Sequence, residues 1–137
     1  MPSGYSSTPL PRKLGIRPDS RICILNAPRG YLKTLGSLPE RVVRVRQLEP
    51  ELDFVHFFTK EAAALNLTFG ELRDAIHPAG MVWISWPKRS SGLKSDLDES
   101  VVREIGLMHG MVDVKVCAVD AVWNGLKFVF RVKDRRS

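Results

Sequence analysis

RICILNAPRGY, residues 21–31, decides how this chain folds. Arg21 to Ala27 is a short, continuous apolar run bounded by polar and Pro/Gly signals, the pattern of a strand buried on both faces. The run breaks at Asn26-Ala27-Pro28-Arg29-Gly30, and Tyr31 to Leu38 then reads as a short helix closed by Gly36 and Pro39. A buried strand, a turn and a helix open an α/β unit, and the turn sits where such proteins cradle a nucleotide.

The rest of the chain repeats that alternation. Val42 to Leu48 (VVRVRQL) places Val43, Val45 and Gln47 on one face and Arg44 and Arg46 on the other, a half-exposed strand. Leu52 to Thr59 (LDFVHFFT) is an interior strand. From Lys60 to Ile76 the spacing of Leu65, Phe69, Leu72 and Ile76 is helical, and His77-Pro78 ends the helix. Gly80 turns the chain into a third interior strand, Met81 to Trp86. Ser95 with Asp98 resembles a capping box for a helix through about Leu107, with Leu97, Val101, Ile105 and Met108 as its face and Gly110 as its end. Val112 to Val119 and Leu126 to Val132 are the last strands, joined through Asp120 to Gly125, where Asn124-Gly125 is a turn signal. The predicted fold is a three-layer α/β sandwich whose mostly parallel sheet of about six strands ends in an antiparallel pair.

At 137 residues the chain suffices for one core, so a single domain is expected over residues 21–133. Residues 1–20 read as an arm laid on it and residues 134–137 as a basic tail. A composition of 44% hydrophobic and 26% charged residues is globular, and no apolar run reaches the roughly 18–20 residues of a membrane span. MPSGYSSTPLPRKLG lacks the apolar stretch of a secretory signal, which gives a cytoplasmic expectation. Cys23 and Cys117 stand alone in apolar runs and read as small buried residues on different strands, with no metal-ligand spacing around them. The formal charge of +6 belongs to the ends: residues 1–21 and 131–137 each contribute +3, and the 13 bases and 13 acids between them balance. Solvated terminal charge aids solubility, so nucleic acid is not an expected partner.

In motif order the chain resembles class I S-adenosylmethionine (SAM)-dependent methyltransferases. LGIRPDSRICIL is similar to their approach to the first strand, HPAGMVWISWPK to their turn into the fifth strand, and the antiparallel last pair completes the likeness over roughly residues 14–132. GYSSTPLPRKLGI, WPK (86–88) and DVKVCAVDAVWNGLKF (113–128) also resemble the segments of a family of short bacterial proteins, a domain of unknown function. The methyltransferase likeness implies a truncated Rossmann-like scaffold, and the chain departs from it at the cofactor positions. Where the family carries an acidic residue and a GxGxG-like loop, Pro28 removes an amide donor, Arg29 is expected to fill the cofactor's space, and only Gly30 remains. The carboxylate that would hold ribose hydroxyls should lie near Gln47 to Glu51, where Glu49 or Glu51 serves only with a register shift. Little chain separates that region from LDFVHFF, which implies one missing strand and one missing helix. That strand ends in Thr59-Lys60 instead of an Asp/Asn-Pro-Pro-aromatic sequence.

Ligands of open parallel sheets bind beyond the carboxyl ends of the strands. The candidate ligand-binding residues are therefore Asn26, Arg29, Gly30, Thr59, Lys60, Lys88, Arg89, Asp120 and Trp123, with Ser90 beside them. This rim is net positive and suits an anionic ligand, with Trp86 or Trp123 to stack on it. His56 reads as a core imidazole, and His77 and His109 as helix-end residues. Ser85 lacks a GxSxG elbow. Asp96, Asp98 and Glu99 suit the first turn of a helix, where the dipole favours negative charge. The residues thus point to a non-catalytic, methyltransferase-like domain that binds an anionic small molecule or a protein partner, with no catalytic residue, metal or cofactor expected. A divergent SAM-dependent methyltransferase is the alternative, and a regulatory nucleic-acid binder using the basic ends is the second.

Overall fold

The computed structural model describes residues 8–135; the remaining parts of the expected arm (residues 1–7) and tail (136–137) lie outside them. The elements run α1 (Leu10–Leu14), β1 (Arg21–Leu25), α2 (Tyr31–Leu35), β2 (Val43–Val45), β3 (Leu52–Phe58), α3 (Ala62–Ala75), β4 (Ile76–Pro87), α4 (Glu99–Met108), β5 (Met111–Ala118) and β6 (Trp123–Phe130). Single 3-10 turns occupy Arg89–Ser91 and Val132–Asp134. The six strands form one sheet in the order β2-β1-β3-β4-β6-β5. β2, β1, β3 and β4 are parallel, and β6 runs antiparallel to both β4 and β5. The expected mostly parallel sheet with an antiparallel final pair is what the chain forms.

Two apolar layers sandwich the sheet. On one face Leu65, Phe69 and Leu72 of α3 and Val102 and Ile105 of α4 pack on Val55, Val82, Ile84 and Leu126. On the other, Leu14 of α1 and Tyr31 and Leu35 of α2 pack on Ile22, Phe54, Phe58 and Trp83. Phe54, Phe57 and Phe58 of β3, Trp83 of β4 and Phe128 of β6 are all buried. Leu14 and Ile16 are also buried, and the Trp83 indole donates to the Leu14 carbonyl at 2.8 Å, so the segment before β1 closes this layer. Cys23 belongs to the first layer and Cys117 to the second, and both are free thiols.

Several elements differ from expectation. β2 has three residues instead of seven, and Val43 is half exposed, because only one neighbour and little of a helix cover this edge. Such a short strand lets residues 46–51 return to the start of β3, on the far side of β1, without a crossover helix, although connections between parallel strands generally need about a dozen residues or more. α3 ends at Ala75, just before His77-Pro78, and the chain passes directly into β4, where the register with β3 shifts. A β-carbon on Gly80 in that shift would lie 3.0 Å from the carbonyl oxygens of Leu52 and His77, so this close approach requires glycine.

Asp98 is the N-cap of α4, accepting from the Val101 amide at 2.9 Å, where Ser95 was expected. The face of α4 is Val102, Ile105 and Gly106, while Met108 is exposed. Asn124-Gly125 is not a turn. It lies inside β6, where a β-carbon on Gly125 would meet Trp83 and Ser85, and the hairpin instead turns at Val119 to Val122.

Candidate functional site

The carboxyl ends of β1 and β3 open into a cleft of about 520 Å³, within the roughly 300–1,000 Å³ of small-molecule sites. Asn26 and Pro28 form one wall, Thr59, Lys60 and Glu61 the other, and Phe58 and Trp123 an apolar side. Asn26 takes a left-handed conformation at φ 56°, which asparagine tolerates better than most residues and which turns the chain out of β1. The Phe58 and Trp123 rings meet edge-on with centroids 5.3 Å apart.

Two loops are stitched together at the mouth of the cleft. The Ser95 hydroxyl donates to the Lys60 carbonyl at 2.8 Å, and the Asp96 carboxylate accepts from the Ala62 amide at 2.7 Å, capping α3. Asp96 therefore serves α3, not the first turn of α4 as expected. A shallower region of about 540 Å³ continues outward past Lys60, Arg89, Leu93 and Lys94.

Of the nine predicted residues, Asn26, Thr59, Lys60 and Trp123 share the cleft, and Arg89 joins Lys60 in its outer extension. The others are elsewhere. Arg29, expected to fill the cofactor's space, is exposed and does not line the cleft. Gly30 is the N-cap of α2 at φ 85°, with open space where a β-carbon would be. The Lys88 backbone bonds Val122 and Ser91. The Asp120 carboxylate accepts from the Val122 and Trp123 amides at 2.8 Å and so shapes the hairpin turn. Trp86 is buried in the opposite layer and offers no stacking surface. Phe58, Glu61, Ala64 and Leu93 line the cleft without having been singled out; their sequence signal, a place next to a strand end, is shared by many residues that line nothing.

Neither candidate ribose carboxylate is at this end. Glu49 pairs with Arg21, the first residue of β1, and Glu51 turns the chain into the start of β3 at φ 65°, so both belong to the amino-terminal edge. Arg46 and Gln47 follow β2 at its carboxyl end.

Directly beneath the cleft lies a closed polar chain. The Tyr31 hydroxyl meets His56 Nδ1 at 2.9 Å, and His56 Nε2 meets the Ser85 hydroxyl at 2.7 Å, all three residues being buried. Desolvation pushes the imidazole down to about 3. Burial, reinforced by Asp120 and Cys117, pushes the Tyr31 phenol up. His56 is thus a satisfied neutral core imidazole, as expected, tying the helix after the β1 turn to β3 and β4. His77 and His109 have local roles: His77 Nδ1 accepts from the Ala79 amide, and His109 stacks on Phe69. Among the described residues no group of three or more His, Cys, Asp or Glu could hold a metal, and no helix is long and apolar enough to cross a membrane.

The fold and the cleft at the carboxyl ends of β1 and β3 define a protein with the methyltransferase α/β architecture. Magnesium protoporphyrin IX methyltransferase from Synechocystis PCC 6803, with bound SAM, is 11% identical with a TM-score of 0.61, covering 89% of this chain and 74% of its own. A SAM-dependent methyltransferase from Aquifex aeolicus is 13% identical at 0.60 and 85% of each chain, and a possible exported protein from Bordetella parapertussis is 11% identical at 0.65, with 90% and 66% covered. These likenesses concern the fold. No family model and no curated protein sequence matches the chain.

Proposed function

We propose that this chain is a divergent SAM-binding protein of the methyltransferase fold, with the cofactor seated in the cleft between Asn26 and Thr59. The observation that carries this reading is the open cleft at the switch between β1 and β3, with Arg29 exposed and outside its lining. Asn26 and Thr59 offer polar side chains on facing walls, Phe58 and Trp123 an apolar surface for a flat ring, and Glu61 a carboxylate for sugar hydroxyls in place of the one missing beyond β2. Bound SAM supplies an electrophilic methyl group. Lys60, Arg89 and Lys94 along the outer extension favour an anionic acceptor. The reading assigns no proton-transfer residue.

A second reading keeps the scaffold without the cofactor: a non-catalytic domain that binds another anionic small molecule or a protein partner. It is favoured by the position of Glu49 and Glu51 at the opposite edge and by the missing amide of Pro28. Likeness of three segments to a family of short bacterial proteins is compatible with both readings. Isothermal titration with SAM and S-adenosylhomocysteine decides between them. Micromolar binding that weakens about tenfold in Thr59→Val or Glu61→Gln and is unchanged in Arg29→Ala supports the first. A folded protein that binds neither compound overturns it in favour of the second.

A further inference from the structure

A second cavity, of about 540 Å³, lies at the opposite, amino-terminal edge of the parallel strands, and shares no lining residue with the cleft. Its floor is β4 and β6, its roof the segment Gly15–Ser20, and its walls include Phe54, Met81 and Val129. Three cations reach it, Arg17, Lys127 and Arg135, and a fourth stands beside it. Lys115 is directly opposite Lys127 in the antiparallel β5–β6 pair. Like charges in facing positions on neighbouring strands destabilise a sheet. Lys115 is tied to the Lys13 carbonyl at 2.7 Å, and Arg135 Nε donates to the Phe130 carbonyl. No hydrogen bond or ion pair within the described residues holds the Lys127 ammonium or the Arg17 guanidinium.

Of the two acids that line the cavity, one is paired with a cation and the other accepts from a backbone amide. The Asp19 carboxylate takes the Arg41 guanidinium at 2.5 Å, and Asp53 accepts from the Arg21 amide at 2.9 Å. What remains is a concave, partly apolar space in which three cations outnumber the one carboxylate, Asp53, that no cation pairs with among the described residues. Partial burial, with Lys115 and Arg17 adding repulsion, pushes the Lys127 ammonium below its ordinary value. An anion seated between Arg17 and Lys127 would relieve that repulsion.

We propose that this cavity is a binding site for a small organic phosphate, with the phosphate group held by Arg17, Lys127 and Arg135 and its carbon body against Phe54, Met81 and Val129. A phosphate dianion answers several cations at once and accepts several charge-assisted hydrogen bonds, whereas a single carboxylate brings half the charge. The apolar walls favour an organic phosphate over the free ion. The proposal is independent of SAM binding, since the two sites lie at opposite edges of the sheet.

Amide chemical-shift titrations of the full chain with inorganic phosphate, phenyl phosphate and acetate, at constant ionic strength in chloride, test it. Saturable shifts around Gly15 to Arg17, Gly80 and Lys127 are expected, with phenyl phosphate tighter than inorganic phosphate and acetate inert. Lys127→Met, which keeps the length of the side chain, and Arg17→Gln should each weaken phosphate binding about tenfold, and Lys127→Met should unfold at a temperature no lower than the wild type. Linear shifts to millimolar phosphate, an equal response to acetate, or undiminished binding in both variants would overturn the proposal.

Discussion

His56 shows how one side chain ties sequence to structure. A histidine inside LDFVHFF reads as core because its neighbours are apolar, yet its partners, Tyr31 and Ser85, are 25 and 29 residues away in sequence and become visible only once α2 and β4 are in place. A neutral ring with both nitrogens engaged inside the sheet resists protonation. Because its folded value is about 3 against an ordinary 6.5, the unfolded chain binds the proton first as pH falls. The stabilisation is therefore complete above about pH 6.5 and is lost towards pH 3, with a slope of about 1.4 kcal/mol per pH unit at its steepest. Urea unfolding between about pH 7 and pH 4.5 should show this loss, and His56→Gln should flatten that component. An equally steep decline in the variant would assign the acid sensitivity to carboxylates. Arg29 teaches the converse: its identity suggested a blocked cofactor loop, but its side chain is exposed and is not among the residues that line the cleft.

The elements were legible wherever hydrophobic period and burial coincide. Leu65, Phe69 and Leu72 lie on one stripe and are fully buried in α3, because that helix covers the middle of the sheet. In α4 the choice of face fell to packing: Val102, Ile105 and Gly106 turn inward, and Met108 outward. Gly106 is the reason for the phase. A β-carbon there would overlap the Phe128 ring of β6, so the glycine sets how closely helix and sheet approach. Alanine normally gains about 1 kcal/mol over glycine inside a helix, whereas overpacking a core costs about 1–3 kcal/mol. Steric overlap with an aromatic ring should win, and Gly106→Ala is expected to lose up to about 2 kcal/mol by chemical denaturation. A stabilised variant would mean that Phe128 can move aside. The same reasoning explains Asn124-Gly125, a turn dipeptide by composition that became strand because Gly125 lies against Trp83 and Ser85.

For the molecule as a whole, the segment before β1 is part of the core. Its Leu14 and Ile16 are buried, and its Leu14 carbonyl satisfies the Trp83 indole. A chain beginning at Arg17 should lose about 3–6 kcal/mol, from two buried aliphatic side chains at about 1.5–3 kcal/mol each, and show red-shifted tryptophan emission. Unchanged stability would mean that these contacts are dispensable. The sheet also separates two openings, one at the carboxyl ends of β1 and β3 and one at the opposite edge, and the charge that looked like a property of the termini is in part gathered by folding. Arg17 and Arg135 come from the two basic ends, and they meet Lys127 of the neutral body in one cavity. The sequence by itself determined the alternation of strands and helices, the interior strands and the antiparallel final pair, because periodicity and turn chemistry are local. The tertiary structure alone decided that Arg29 lies outside the cleft lining, that Glu49 pairs with Arg21 at the amino-terminal end of the strands, and that Arg17, Lys127 and Arg135 share one cavity. Those outcomes depend on side-chain direction and strand order, which bring distant residues together through contacts that no single segment encodes.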